Sequence, residues 1–261
     1  MTIRNVARER LERGELSLGT GVRLTRSVEI AIAMKTAGFD WLFLDLEHGT
    51  MSIDAAAQIA VAALDAGIAP LVRVPNGEYS IATRLLDNGA LGIVMPHVDT
   101  ADEAREVVQK LKYPPIGHRS MGGIGPHYSL RTASTGDAAK ALNAANLTVA
   151  MLETPTAIEN AEAIAAVPGI DVLLIGTNDL CAEMGIPGDF ANDRVADAYR
   201  MMIAAARKHG KFPGMAGIYN EPLMQRYISM GARFILSGND ASFVMASAAN
   251  RSGFLRQITL A

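Results

Sequence analysis

The sequence lacks the features that mark several classes of protein. Its 261 residues include one cysteine, Cys181, so disulfides do not hold the fold and a reducing cytoplasm is the expected compartment. We interpret the thiol of Cys181 as partly buried and structural. No apolar run reaches about 18 residues, so we expect no membrane span. The net charge is −3 with no basic block, so nothing in the charge pattern predicts a nucleic-acid partner. The charged stretch 1–15 is typical of an amphipathic helix and not of a secretory signal.

Short apolar runs alternate with helix-like segments along the rest of the chain, a pattern typical of a parallel sheet covered by helices. Eight such strand-and-helix units predict a TIM (β/α)8 barrel, formed by residues 1–261 as one α/β domain. A doubly wound open sheet is the alternative, and the absence of a glycine-rich dinucleotide turn disfavours it. The predicted strands are 17–22, 41–46, 70–74, 92–95, 147–152, 172–175, 212–216 and 234–236, and the predicted helices are 25–37, 52–66, 79–88, 101–111, 157–166, 194–209, 221–230 and 242 onward.

The alternation breaks between Tyr113 and about Ala141, where proline and glycine are too frequent for a regular helix or a central strand. A long irregular segment inside a compact domain is usually functional or mobile. We therefore predict an irregular insertion after the fourth strand-and-helix unit, either over the barrel mouth or in a subunit contact.

The stretch 42–49 ends a buried strand with three ionisable residues, Asp45, Glu47 and His48. Unpaired buried charge is unfavourable, so these groups need partners, a metal or a substrate. Ligands bind at the carboxyl ends of strands in α/β folds, which predicts one wall of an active site here. The alternative is a histidine that pairs with a neighbouring carboxylate for structural reasons alone.

Other predicted strands also end in polar residues. Glu153 and Asp179 follow adjacent strands, and two carboxylates side by side need a cation or a shared proton. Oxygen ligands favour Mg²⁺ or Mn²⁺, although Asp179 is equally well placed to cap a helix. Arg73 interrupts an apolar strand and suits a carboxylate or a developing oxyanion. None of the six lysines follows a predicted strand, so a Schiff base is not predicted and activation of a carbonyl would require a metal.

Six motifs together resemble the HpcH/HpaI aldolase/citrate lyase family. Within it, the chain is most similar to metal-dependent class II pyruvate aldolases of the 2,4-dihydroxyhept-2-ene-1,7-dioate (4-hydroxy-2-oxoheptanedioate) aldolase branch. The resemblance covers nearly the whole chain and keeps the family's order of motifs. The motifs are FLDLEHG (43–49), the arginine of LVRVP (71–75), LLDNGALGIVMP (85–96), YPPIGHR (113–119), the glutamate of MLETPTAIEN (151–160) and IGTNDLCAEMG (175–185).

This resemblance implies a TIM barrel that reversibly cleaves 4-hydroxy-2-oxo acids to pyruvate, or a related 2-oxo acid, and an aldehyde. It implies a divalent cation (Mg²⁺, Mn²⁺ or Co²⁺) at Glu153 and Asp179, and a metal-bound enolate. His48 matches the family's base, and Arg73 matches the residue that stabilises the enolate and aldehyde oxygens. Asp87 matches the carboxylate that raises the basicity of this histidine, and Asp45 is a second candidate for orienting it.

The resemblance also implies contacts and partners. The substrate-binding residues would be Arg73, Met151, Gly176, Thr177, Asn178 and Asp179, with a backbone amide at Asn178 contacting the pyruvate carboxylate. The partners would be small molecules and further copies of the chain in a homohexamer, with the last helix packed on a neighbour. The implied setting is the cytoplasmic catabolism of aromatic compounds.

Two positions depart from the closest branch. Met151 replaces a glutamine that contacts substrate, and Arg23 follows the first strand where that branch has a tryptophan and then small residues. Arg23 either recognises an acidic or polar tail on the aldehyde or is a surface arginine before a helix. Both departures concern the aldehyde and leave the pyruvate half intact.

Two other functions stay open. One is a carbon–carbon lyase of the same superfamily that acts on a CoA thioester, although no basic groove for a nucleotide is evident. The other is a barrel that binds a keto acid without turnover, with residues 238–240 as a small anion nest.

Overall fold

Eight parallel strands close into a barrel in the computed structural model, which describes residues 3–123 and 125–260. Each strand pairs with the next along the chain, and the eighth pairs with the first, so the sheet has no open edge. The predicted TIM barrel is confirmed, and the open doubly wound sheet is wrong because the sheet is closed. The strands are β1 (Ser17–Val22), β2 (Trp41–Asp45), β3 (Ala69–Arg73), β4 (Gly92–Met95), β5 (Leu147–Leu152), β6 (Val172–Gly176), β7 (Phe212–Ala216) and β8 (Phe234–Asn239).

The barrel interior is filled by alternate residues of the strands, because successive side chains of a strand point to opposite faces. Trp41 and Phe43 of β2 belong to the interior cluster, whereas Leu42 between them packs outward against the helices. The Trp41 ring stacks on Phe234 with ring centres 4.0 Å apart. Gly19 leaves the space that this ring needs, since a Cβ there would overlap the indole.

Twelve α-helices surround the strands in the described residues, with one 3-10 turn at Pro126–Tyr128. The predicted helix after β2 begins and ends as its sequence indicates: the Ser52 side chain accepts the N–H of Ala55, and Gly67 ends it with φ of +71°. The helices are α1 (Val6–Glu12), α2 (Glu29–Thr36), α3 (Ile53–Ala66), α4 (Tyr79–Asp87), α5 (Ala101–Leu111), α6 (Thr135–Ala145), α7 (Pro155–Glu159), α8 (Ala161–Ala165), α9 (Thr177–Glu183), α10 (Asp193–Lys208), α11 (Glu221–Met230) and α12 (Asp240–Arg256).

Two predicted helices differ from those observed. The helix predicted from Thr25 begins at Glu29, and the segment before it is a loop in which the N–H groups of residues 23–25 donate to the Asp240 side chain. The helix predicted over 157–166 is two short helices, α7 and α8, which meet at Asn160. The Asn160 side chain donates to the carbonyl of Asp99 at 2.8 Å, which fixes the break.

The irregular insertion after α5 is confirmed, but it is shorter than predicted. Its last part is helical, because α6 begins at Thr135 with the Ser134 side chain as its cap. Cys181 is fully buried inside α9, whereas a partly buried thiol was predicted, and burial raises its pKa. The predicted N-terminal helix is observed as α1. Met1, Thr2, Ile124 and Ala261, which the predictions also covered, lie outside the described residues.

No helix in residues 3–123 and 125–260 is long and apolar enough to cross a membrane. All eight strands belong to one barrel, and the organisation of residues 1–261 as one domain stays a prediction.

Candidate active site

A cavity of about 220 Å³ opens at the carboxyl ends of the strands, where the sequence predicts the site. Its wall includes residues in or just after β1, β2, β3, β6, β7 and β8, so distant parts of the chain meet there. Eight of the predicted site residues line it: Asp45, His48, Arg73, Met151, Gly176, Thr177, Asn178 and Asp179.

Asp45 and Arg73 form a buried, two-pronged ion pair on one side of the cavity. They are partners in the register of β2 and β3, and each continues the inward-facing series of its strand. The guanidinium donates to both Asp45 oxygens, at 3.0 and 2.8 Å, and its Nη1 lies 3.0 Å from Glu47. Burial would raise the pKa of Asp45, but the Arg73 guanidinium holds this pKa below its ordinary value. Arg73 is therefore rigidly aimed into the cavity by two carboxylates.

His48 lies at the cavity edge with 55% of its side chain exposed. Its Nε2 lies 3.8 Å from a Glu47 oxygen, and its backbone N–H donates to Asp45 at 3.2 Å. Asp45 thus fixes the backbone of His48, and the ring keeps access to a ligand.

Asp87 does not meet His48 within the described part of this chain. Its carboxylate accepts from Arg119 at 2.5 Å, beside the insertion. No hydrogen bond or ion pair joins Asp87 to His48 among residues 3–123 and 125–260. The influence of Asp87 on His48 stays a prediction from the resemblance.

Glu153 is the most unusual carboxylate of the site because it is 1% exposed. One oxygen accepts the backbone N–H of His97 at 3.0 Å, and the imidazole of His97 lies 3.6 Å from the same oxygen. Burial, together with the smaller effect of the nearby charge of Asp179, raises the pKa of Glu153 to about 7. A positive charge in the cavity would therefore stabilise the ionised form strongly.

Gly176, which lines the cavity, separates Glu153 from the open space. A Cβ on this glycine would lie 2.5 Å from a Glu153 oxygen and 2.8 Å from the methyl carbon of Met151. The close approach leaves no room for a side chain at this position. Asp179 follows three residues later in α9, on the same wall.

Two carboxylates form the donor set at this wall. Within residues 3–123 and 125–260, no group of three or more His, Cys, Asp or Glu side chains is arranged like a metal site. Glu153 and Asp179 nevertheless fit a hard divalent cation, because the cation would balance a buried carboxylate and keep open positions for substrate oxygens.

Thr177 and Met151 have mainly packing contacts. The Thr177 hydroxyl donates to the carbonyl of Ala216 at 2.7 Å and lies 2.8 Å from the Tyr199 hydroxyl. Met151 is buried beside Gly176 and offers no hydrogen-bonding group where the resemblance implies a glutamine. No lysine stands among the described residues that line the cavity.

Sequence reasoning missed the contribution of His97. The structure brings the backbone N–H and the ring of this residue to Glu153. Its φ of +50° is uncommon for a residue with a side chain and turns the N–H toward the carboxylate. The sequence gives no sign of this conformation.

The chain matches the model of the HpcH/HpaI aldolase/citrate lyase family over residues 25–246. The chain belongs to this family. It is 41% identical to a 4-hydroxy-4-methyl-2-oxoglutarate aldolase of Hapsidospora irregularis, over 98% of this chain and 96% of that protein. It is 39% identical to a 4-hydroxy-2-oxovalerate aldolase of Rhodococcus jostii, over 78% of each chain.

A solved structure from the same family shares the fold. A crystal structure of an HpcH/HpaI aldolase from Desulfitobacterium hafniense superimposes with a TM-score of 0.92 at 26% identity, and the match covers 98% of each chain. The predicted family is confirmed, and so is the prediction of an aldehyde-lyase.

Proposed function

We propose that this HpcH/HpaI aldolase is a class II enzyme that cleaves and forms the C3–C4 bond of 4-hydroxy-2-oxo acids. The products of cleavage would be pyruvate, or a related 2-oxo acid, and an aldehyde or other carbonyl compound. The buried Glu153 near Asp179 carries the proposal, because these two carboxylates need a cation and Asp179 lines a cavity large enough for a small keto acid.

A divalent cation, Mg²⁺, Mn²⁺ or Co²⁺, would be held by Glu153 and Asp179 and would polarise the carbonyl of the 2-oxo acid. The absence of lysine from the described cavity wall supports metal activation over a Schiff base. His97 supports the metal site by holding Glu153 through its backbone N–H. Gly176, Asn178 and Met151 would contact the 2-oxo acid.

His48 would take the proton from the C4 hydroxyl group when the C3–C4 bond breaks. Its exposed ring at the cavity edge supports this role, since it can reach a substrate proton directly or through a water. Arg73 would stabilise the negative charge that develops on the substrate oxygens, and its two carboxylate partners keep it aligned for this purpose.

Exchange of the pyruvate methyl protons with deuterium, followed by NMR, tests the proposal without knowledge of the carbonyl partner. Chelator-treated protein should show no exchange, and added Mn²⁺ or Mg²⁺ should restore it. Glu153→Gln and Asp179→Asn should abolish the metal-dependent exchange, whereas Glu15→Gln, which alters an exposed carboxylate, should retain it. Full exchange by the two site variants in chelator would contradict the metal site.

The finer predictions concern assembly and setting. Homohexamer formation is supported by the many exposed apolar residues of α12, among them Phe243, Met245 and Phe254. Light scattering would test it, and a monomer at micromolar concentration would contradict it. A cytoplasmic setting and a role in aromatic catabolism stay predictions.

A further inference from the structure

Arg23 places a second guanidinium in the wall of the cavity. Its side chain is 45% exposed, and its Nη2 lies 3.5 Å from an Asp45 oxygen. Among residues 3–123 and 125–260, the Arg23 side chain makes no hydrogen bond. Asp45 already accepts two hydrogen bonds from Arg73, so it does not need Arg23 as its partner. The donors of Arg23 are therefore available to a ligand.

The backbone of Arg23 is held firmly, although its side chain is exposed. The N–H groups of Arg23, Leu24 and Thr25 donate to the Asp240 carboxylate at 2.7 to 3.1 Å. Asp240 is 3% exposed, and these N–H groups lower its pKa against the opposing effect of burial. The anchor fixes the position from which the guanidinium projects, which reduces the entropy lost when it binds a ligand.

The position of Arg23 in the barrel assigns it to one half of the substrate. In a closed barrel of eight strands, β1 lies opposite β5, so Arg23 faces the side that carries Glu153 and Asp179. A 2-oxo acid bound at those two carboxylates leaves the volume near Arg23, Arg73 and His48 for the other end of the substrate.

Tyr219 lines the same part of the cavity. Burial raises the pKa of this phenol, and the nearby positive charges of Arg23 and Arg73 lower it in part. The phenol therefore stays protonated at neutral pH and can donate a hydrogen bond to the ligand that Arg23 binds.

We propose that Arg23 binds a carboxylate on the carbonyl partner, so that this aldolase prefers dicarboxylic 4-hydroxy-2-oxo acids with a carboxylate on C4. Arginine suits the role because its planar fork matches two carboxylate oxygens. The inference rests on the proposed aldolase function and adds the chemical class of the second product, a carbonyl compound that carries a carboxylate.

Two substrates that differ at one group test this inference. Cleavage of 4-hydroxy-2-oxoglutarate breaks the C3–C4 bond and gives pyruvate and glyoxylate; the oxygen of the C4 hydroxyl group loses its proton and C3 gains one. Cleavage of 4-hydroxy-2-oxovalerate follows the same course and gives pyruvate and acetaldehyde. The two substrates differ by a carboxylate against a methyl group, so the ratio of their kcat/KM values measures recognition of the charge.

The variants are Arg23→Gln, Arg23→Lys and the control Arg26→Gln, all assayed with Mn²⁺ present. Arg26 is an exposed arginine three residues further on that does not line the cavity, and its guanidinium donates to the backbone carbonyls of Arg23 and Thr25 and to the Thr50 hydroxyl. Its substitution removes the same charge from the vicinity. Arg23→Gln should lower the kcat/KM ratio roughly 10- to 100-fold, mainly through KM of the dicarboxylate, because it removes a charged hydrogen bond. Arg23→Lys should give a smaller loss, and Arg26→Gln should keep the ratio within about 2-fold.

The outcomes separate this inference from the proposed function. An equal loss for both substrates in Arg23→Gln, or the same ratio change in Arg26→Gln, overturns the role of Arg23 and leaves the aldolase intact. A wild-type protein that cleaves neither substrate and shows no metal-dependent exchange of pyruvate protons overturns both. A selective loss for the dicarboxylate in Arg23→Gln alone supports the inference.

Discussion

The charge state of Glu153 leads to a measurable pH dependence of stability in protein freed of metal by a chelator. Burial raises the pKa of this carboxyl from 4.5 to about 7, so the folded state keeps a proton that the unfolded chain has released. The folded state therefore binds more protons between these two pH values, and its stability falls as pH rises through them. The pKa difference corresponds to about 3 kcal/mol, at about 1.4 kcal/mol for each tenfold change in proton affinity.

The Glu153→Gln variant removes the titration and keeps an oxygen that can accept the N–H of His97. Urea unfolding is measured at several pH values from about 4.5 to about 8. As pH rises over this range, the free energy of unfolding of wild type should fall by about 3 kcal/mol relative to that of the variant. Glu15→Gln is the control. The Arg13 side chain holds the pKa of this carboxyl below its ordinary value of 4.5, so Glu15 affects the slope only near the acid end of the range and with the opposite sign to Glu153. Parallel pH profiles for wild type and Glu153→Gln would refute the reasoning.

Three further substitutions test the buried contacts of the site. Arg73→Ala should lower the free energy of unfolding by about 3 kcal/mol, because it leaves the Asp45 charge buried without its partner, and it should also abolish turnover. Urea unfolding measures the stability and a cleavage assay measures the turnover. Unchanged stability would contradict the ion pair. Gly176→Ala should weaken Mn²⁺ binding about 10-fold or more by displacing the Glu153 carboxylate. Titration calorimetry measures the affinity, and a variant that binds Mn²⁺ as tightly as wild type would contradict this expectation. Asp240→Asn should cost about 2 kcal/mol near neutral pH; the lowered pKa of Asp240 means that its contribution is lost as pH falls below the ordinary value of 3.8, so the two thermal-unfolding profiles should converge in acid.

The barrel could be predicted from the sequence because its strands are short apolar runs with polar residues at one end. The same rule found Asp45, Arg73 and Asp179, since residues after parallel strands converge at one mouth. The start of a helix could also be predicted where a single capping residue sets it, as Ser52 does.

The features that could not be predicted from the sequence depend on contacts between residues far apart along the chain. The loop before the helix at Glu29 donates the N–H groups of residues 23–25 to Asp240, and no local pattern reveals this contact. The raised pKa of Glu153 follows from burial by neighbours on other strands, and the turn of His97 toward it depends on an uncommon φ. The sequence could suggest a role for Arg23, but only the folded chain assigns it to the cavity wall.

The hydrogen bonds from Asp240 to residues 23–25 also constrain when the site can form during synthesis. Asp240 lies 217 residues after Arg23 along the chain, and it belongs to the last helix, which follows the last strand. A ribosome must therefore release nearly the whole polypeptide before the loop after the first strand acquires its anchor. We expect a nascent chain that stops before residue 240 to lack an ordered cavity wall at Arg23, however much of the barrel has already formed.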